Sequence, residues 1–208
     1  MADEPGARED GARPAETGER RVRADARRNL DTVLTAAKAV FAAAGVDAPV
    51  REIADRAGVG VGTLYRHFPK RADLIAAVFR HEMDACADAA PVLAAEHPPA
   101  EALANWLQIY AGFVGTKRGL AKALHSGDPA YDALPGYFDQ RLRPAFRTLF
   151  EAAMAADAIR TDMDPDEILN AVAHLGTSAS SDKPDQSRRL VALLVDGLRY
   201  TRSDSSGS

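Results

Sequence analysis

Val50-Arg51-Glu52-Ile53-Ala54-Asp55-Arg56-Ala57-Gly58-Val59-Gly60-Val61-Gly62-Thr63-Leu64-Tyr65-Arg66-His67-Phe68 is the stretch that decides the fold. It reads as two short helices, about Pro49 to Ala57 and about Val61 to Phe68, joined by a three-residue turn, Gly58-Val59-Gly60. Ile53, Ala54 and Ala57 share the inner face of the first helix, and Ala57 is small enough for the second to cross close by. Val59 plugs the corner, and Leu64 and Phe68 complete the core. This is the pattern of a helix-turn-helix. Val61, Gly62, Thr63, Tyr65, Arg66 and His67 are left facing outward on the second helix. A hydroxyl, a phenol, a guanidinium and an imidazole on so short a helix suit phosphates and base edges. The competing readings are plain solvation for Arg66, a bland surface position for His67, and half-burial against the preceding long helix for Tyr65.

The flanking chain is helical too, which predicts an all-α protein. Upstream, Leu30, Val33, Leu34, Ala37, Phe41 and Ala44 recur at spacings of three and four, predicting a helix over about Arg27 to Ala44 that Gly45 ends. Pro69 separates the pair from a long helix expected over Arg71 to Ala90, with Pro91 read as its stop. Further helices are expected near 100–114, 117–125, 136–155, 165–177 and 186–200, the third kinked at Pro144. The expected organisation is a disordered tail at 1–22, a helix-turn-helix domain at 23–70, a helical body at 71–202 and a polar tail at 203–208.

The 208 residues are 46% hydrophobic and 27% charged, an ordinary globular mixture in which alanine outweighs the β-branched residues. The net charge of −4 conceals a division. Residues 20–80 hold 12 basic against 6 acidic side chains, and residues 81–208 hold 12 against 18. A basic segment on an acidic body points to an anionic partner for that segment. Arg20, Arg21, Arg23, Arg27 and Arg28 cluster ahead of it, either as a solvated run or as an arm touching phosphate. No apolar run approaches a membrane span, and the polar start carries no secretory signal. One cysteine, Cys86, excludes an internal disulfide and a cysteine zinc site, reads as a small buried hydrophobe, and agrees with a reducing cytoplasm. His81, His125 and His174 are too scattered to suggest a metal. No nucleophile elbow, P-loop or GxGxxG is present, so neither an enzyme nor a cofactor is expected.

The run Ile-Ala-x-x-Ala-Gly-Val-x-x-Gly-Thr-Leu-Tyr-x-His-Phe, followed by a basic residue and Ala72-Asp73-Leu74, resembles the TetR (tetracycline-repressor) family of transcriptional regulators, over about Leu30 to Val78. The resemblance implies that Tyr65 and His67 touch phosphates, that Thr63 touches a phosphate or a base, and that Val61 and Arg51 read bases. Arg71 stands where the family has a lysine that grips phosphate at the start of the fourth helix, with Lys70 beside it. Two departures stand out. The first recognition-motif helix opens with Ala48-Pro49-Val50 and lacks the capping threonine. Gly60 and Gly62 remove side chains from the reading helix, so base hydrogen bonds should be few and DNA shape should carry more of the specificity.

In the body, Trp106, Tyr110 and Phe113 fall at i, i+4 and i+7, and Phe146 and Phe150 line the long helix. They form either ordinary core or the wall of a cavity for an apolar or aromatic effector. Leu169 and Val172 on one late helix, with Leu190, Leu194 and Leu198 on the last, either close the protomer's core or form a four-helix seam of a homodimer on a double-stranded operator. The expected function is a ligand-released repressor. The alternatives are a constitutive or protein-partnered regulator, which would lack a cavity above roughly 300 Å³ with converging polar groups, and a helical enzyme or adaptor without DNA binding.

Overall fold

The structure, a computed structural model, describes residues 14–178 and 184–199, and the side chains of residues 25–115, 123–176 and 185–199. Eight α-helices run in order among them: α1 Pro14–Ala44, α2 Val50–Ala57, α3 Val61–His67, α4 Arg71–Glu96, α5 Pro99–Leu124, α6 Leu134–Ala155, α7 Pro165–Ser178 and α8 Pro184–Arg199. One turn of 3₁₀ helix, Pro129–Tyr131, precedes α6. No strand occurs among the described residues.

Helices α1 to α3 pack around Val33, Leu34, Ala37, Val40, Phe41, Ile53 and Leu64, all buried. Helix α4 is shared: it packs on α1 at its start and on α5 and α6 along the rest. Its buried face continues the small core into that of the body, through Leu74, Ile75, Val78, Phe79 and Met83. Lys38 pairs with Glu82, and His81 Nδ1 lies 3.9 Å from Asp31, so α1 is pinned to α4 by charge as well as packing.

Three helix boundaries differ from the sequence expectation by more than two residues. Helix α1 starts at Pro14, upstream of the expected Arg27 and inside the segment expected to be a tail; residues 1–13 lie outside the described residues, as do 200–208. Helix α4 runs through Pro91 to Glu96. A proline removes one N–H and crowds the previous turn, but Pro91 is exposed and the helix carries on around it. The helices expected at 100–114 and 117–125 are one, α5. The glycines of that stretch do not interrupt it, and the close approach to α5 is made by α7: a Cβ on Gly176 would lie 3.1 Å from the Ala111 carbonyl oxygen and 3.2 Å from Val114 Cβ. Pro144 stands within a continuous α6.

The centre of the body is aromatic. The Trp106 ring stacks on Tyr110 with centroids 5.5 Å apart and planes 8° from parallel, and Phe146 lies 5.8 Å from Trp106. The indole Nε1 donates to the Cys86 carbonyl at 2.9 Å, satisfying its one polar atom. Burial pushes the Cys86 thiol up to about 12, in line with its reading as a buried hydrophobe.

Candidate DNA-reading face and ligand cleft

The turn between α2 and α3 is closed by backbone geometry. Gly58 takes the left-handed conformation, φ 68°, and Val59 N–H donates to the Ala54 carbonyl at 3.0 Å. That is a glycine helix stop, and it sets the direction in which α3 leaves. Leu64 is buried while its neighbours face out: Tyr65 is 52% exposed, Gly62, Arg66 and His67 are exposed, and Val61 and Thr63 are half-buried. Arg51 and Lys70 are exposed as well. The structure therefore places eight of the nine expected contact residues with their side chains, or for Gly62 its backbone, open to a partner. A Cβ on Gly62 would meet nothing within 4 Å, so this glycine answers no internal packing demand.

Arg71 is the ninth, and the geometry gives it another task. Its guanidinium donates to the carbonyls of Val46 and Ala48, bridging the start of α4 to the loop before α2. The loop enters α2 at Pro49 with no side-chain cap, and Arg71 holds it from below. A cation at a helix N-terminus is disfavoured by the dipole, and two carbonyl acceptors compensate. Arg71 thus positions α2, and the phosphate grip expected of it would require its guanidinium to leave these carbonyls. The sequence signal was sound as to residue type and register, but a long side chain can turn inward as readily as outward. Lys70, whose backbone N–H donates to Asp73 Oδ2 at 3.0 Å, is exposed.

A second feature lies in the body. A cleft of about 530 Å³ opens between α4, α5, α6 and α7. Phe79 and Met83 of α4 form one wall, Tyr110, Phe113 and Val114 of α5 another, and Leu134 and Phe138 of α6 a third. Of its liners with polar side chains, His125, Asp139, Asn170 and His174 are exposed and Tyr110 and Tyr131 are buried. His174 Nδ1 is 2.7 Å from the Asn170 carbonyl, a geometry that requires the ring to donate there. Asp139 accepts from Arg143 Nε at 3.1 Å.

Of the five residues expected to line a cavity, Tyr110 and Phe113 do so. Trp106, Phe146 and Phe150 do not; they are wholly buried in the packed centre. Helical spacing identifies an inward face without saying whether the space before it is filled. The liners that the sequence reading missed come from several helices, among them Phe79 and Met83 of α4, Leu134 and Asp139 of α6, and Asn170 and His174 of α7. The two histidines judged too scattered meet at one rim, because α5 ends where α7 passes. Among the described residues no group of three or more His, Cys, Asp or Glu could hold a metal ion.

Beside the cleft, α6 is latched to α4. The Tyr137 hydroxyl donates to Asp84 at 2.7 Å, and Arg141 donates from Nε to Asp84 at 2.7 Å and from its second nitrogen to Asp88 at 2.8 Å.

The residues proposed for the dimer seam separate into two sets. Leu169, Val172 and Leu198 are buried within the protomer and belong to its own core, which corrects their assignment to a seam. Leu190 and Leu194 are half-buried, and the outermost apolar side chain of α8 is Leu193, 68% exposed. The stripe Leu190, Leu193, Leu194 and Gly197 is shifted by about one residue around the helix from the inward face.

Residues 33–78 match the model of the tetR family of bacterial regulatory proteins, and residues 98–200 match that of the C-terminal domain of SbtR-like transcriptional regulators. A TetR transcriptional regulator from Streptomyces coelicolor is 41% identical, with a TM-score of 0.74, over 83% of this chain and 99% of the other. A TetR regulatory protein from Mycobacterium vanbaalenii is 36% identical, with a TM-score of 0.70, over 86% and 99%. A structure described as the molecular basis for control of antibiotic production by bacterial hormones, 20% identical with a TM-score of 0.64 over 83% and 98%, shares the fold. A comparison with curated proteins finds no match.

Proposed function

We propose, from the premise that this chain belongs to the TetR family of bacterial transcriptional regulators, that it is a homodimeric repressor released from a palindromic operator by a small molecule bound in the cleft. DNA binding and transcriptional regulation come with the family. Repression, release and the position of the effector are this article's reading.

The observation that carries it is the course of α4. One helix holds α1 to α3 at its N-terminal end, through Arg71 and the Lys38–Glu82 and Asp31–His81 contacts, and supplies Phe79 and Met83 to the cleft further along. A ligand that prefers a displaced α4 shifts the spacing of the two recognition helices in the dimer, and half-site spacing is what a two-fold symmetric duplex reads. The cleft, at about 530 Å³ with Tyr110, Tyr131, His125, Asp139, Asn170 and His174 among its liners, favours this over a constitutive or protein-partnered regulator. Thr63, Tyr65, His67 and Lys70 would hold the backbone, and Arg51, Val61 and Arg66 would face base edges. Two copies of a helix this short give useful affinity where one does not. The exposed leucine stripe of α8 is the surface that would pair.

Selection of duplexes from a random pool by the intact protein tests the reading. The expected product is a dyad-symmetric site bound by two chains, with affinity falling steeply as salt rises. Tyr65→Phe should weaken binding to every selected site alike. Recovery of asymmetric sites bound by single chains, or a change in base preference at constant affinity for Tyr65→Phe, would count against it.

A further inference from the structure

Two buried tyrosines, Tyr110 and Tyr131, line the cleft, and Tyr110 is the deeper of them. Tyr110 is 3% exposed and lines the cleft, and its ring is held between Trp106 on one side and Phe113 and Phe138 on the other. Its hydroxyl makes no hydrogen bond to any described residue, and it is not among the polar atoms sealed from all access. The oxygen therefore opens on the cleft. Buried hydroxyls are nearly always paired, and an unpaired one directed into a cavity is a place prepared for a guest. Burial raises the Tyr110 pKa above its ordinary value, so the group stays a phenol and acts as a donor.

The rest of the wall restricts what the guest can be. Phe79 and Phe113 meet with ring centroids 5.2 Å apart, and Tyr110 and Phe138 with 6.2 Å. No buried liner carries a charge, and the Asp139 carboxylate at the mouth is occupied by Arg143. A charged group carried to the level of Tyr110 would lose its hydration, and the cation that acts on the Tyr110 hydroxyl, Arg143, is already paired with Asp139 and Asp166.

Resting on the effector reading above, we propose that the cleft takes an uncharged, flat aromatic molecule bearing a carbonyl-type oxygen that accepts the Tyr110 hydroxyl. The aromatic body fills the wall between α4, α5 and α6, and any further polar substituent lies outward, toward Asn170 and His174.

The test uses three compounds of one shape: 9-fluorenone, fluorene and fluorene-9-carboxylate. Binding to the intact protein is followed by titration calorimetry, and operator release by fluorescence anisotropy of the selected duplex. 9-Fluorenone should bind the unmodified protein about 3- to 10-fold tighter than fluorene, the worth of one neutral hydrogen bond, and fluorene-9-carboxylate should bind weakest. In Tyr110→Phe the margin between ketone and hydrocarbon should vanish, while the melting temperature holds or rises, because the deleted hydroxyl leaves no partner behind. Equal binding of ketone and hydrocarbon, a margin that survives Tyr110→Phe, preference for the carboxylate, absence of binding by all three, or unfolding of Tyr110→Phe would each overturn the proposal. Tyr110-dependent binding without release of DNA would leave the ligand class standing and remove the effector reading. Release by some other molecule independent of Tyr110 would do the reverse.

Discussion

Arg71 shows how far a residue's type and position determine its role. Its place at the start of α4 was legible, and so was its charge; the direction of its side chain was not, because rotamers of a long side chain are chosen by acceptors from distant sequence. Here those acceptors are carbonyls at 46 and 48. Arg71→Gln should therefore lower the unfolding free energy by about 1–3 kcal/mol, the cost of stranding part-buried carbonyls. DNA affinity should fall with it, while the slope of log affinity against log salt stays near that of the unmodified protein. A slope reduced by about 1 with stability unchanged would restore a direct phosphate contact. The outward-facing set on α3 was readable for a simpler reason. Leu64 must be inside, and on a two-turn helix that settles where Thr63, Tyr65, Arg66 and His67 must point.

Among elements, the α4–α6 pairing has the clearest individual bonds. Asp84 accepts from both Tyr137 and Arg141, and Phe138, adjacent to Tyr137, lines the cleft. A ligand that pushes on Phe138 pushes on this latch. Tyr137→Phe removes one half-buried charge-assisted bond and keeps the ring. It should cost about 1 kcal/mol, a fall in melting temperature of about 2–4 °C for a domain of this size, read by thermal denaturation. A melting temperature equal to that of the unmodified protein would mean that the bond is replaced by water at no cost. Helix positions were otherwise well marked by apolar spacing and by Gly and Pro, and the errors share one cause. Pro91 and the glycines of α5 are helix breakers by intrinsic preference, and tertiary packing overrode them. Close approach of α7 at Gly176 is invisible in any local window of sequence.

At the scale of the whole molecule, core and interface are chemically alike in sequence. Leu169, Val172 and Leu198 share residue type and spacing with Leu190 and Leu194, and only the packed protomer separates them. Leu193→Glu is therefore the informative substitution for the proposed dimer. The side chain is exposed in the protomer, so monomer stability should change by no more than about 0.5 kcal/mol. Sedimentation should nevertheless show monomers, and operator affinity should fall by about 100-fold or more, because the second half-site no longer binds intramolecularly. A folded Leu193→Glu protein that still sediments as a dimer would place the seam elsewhere. Leu198→Glu could not make this distinction, since a charge in the protomer's own core would unfold it.

The burial of Cys86 has a practical consequence. A thiol held so far above neutrality yields almost no thiolate at pH 7, so alkylating and spin-labelling reagents should pass the native chain by. A single cysteine placed at the exposed position of Arg66 would then be modified selectively, with no background to engineer away. The indole of Trp106, bonded to the Cys86 carbonyl in a dry interior, supplies an independent optical signal from α5. One sample could thus report the separation of two nitroxides across the dimer axis and the emission of the sensor core, with every other native residue in place.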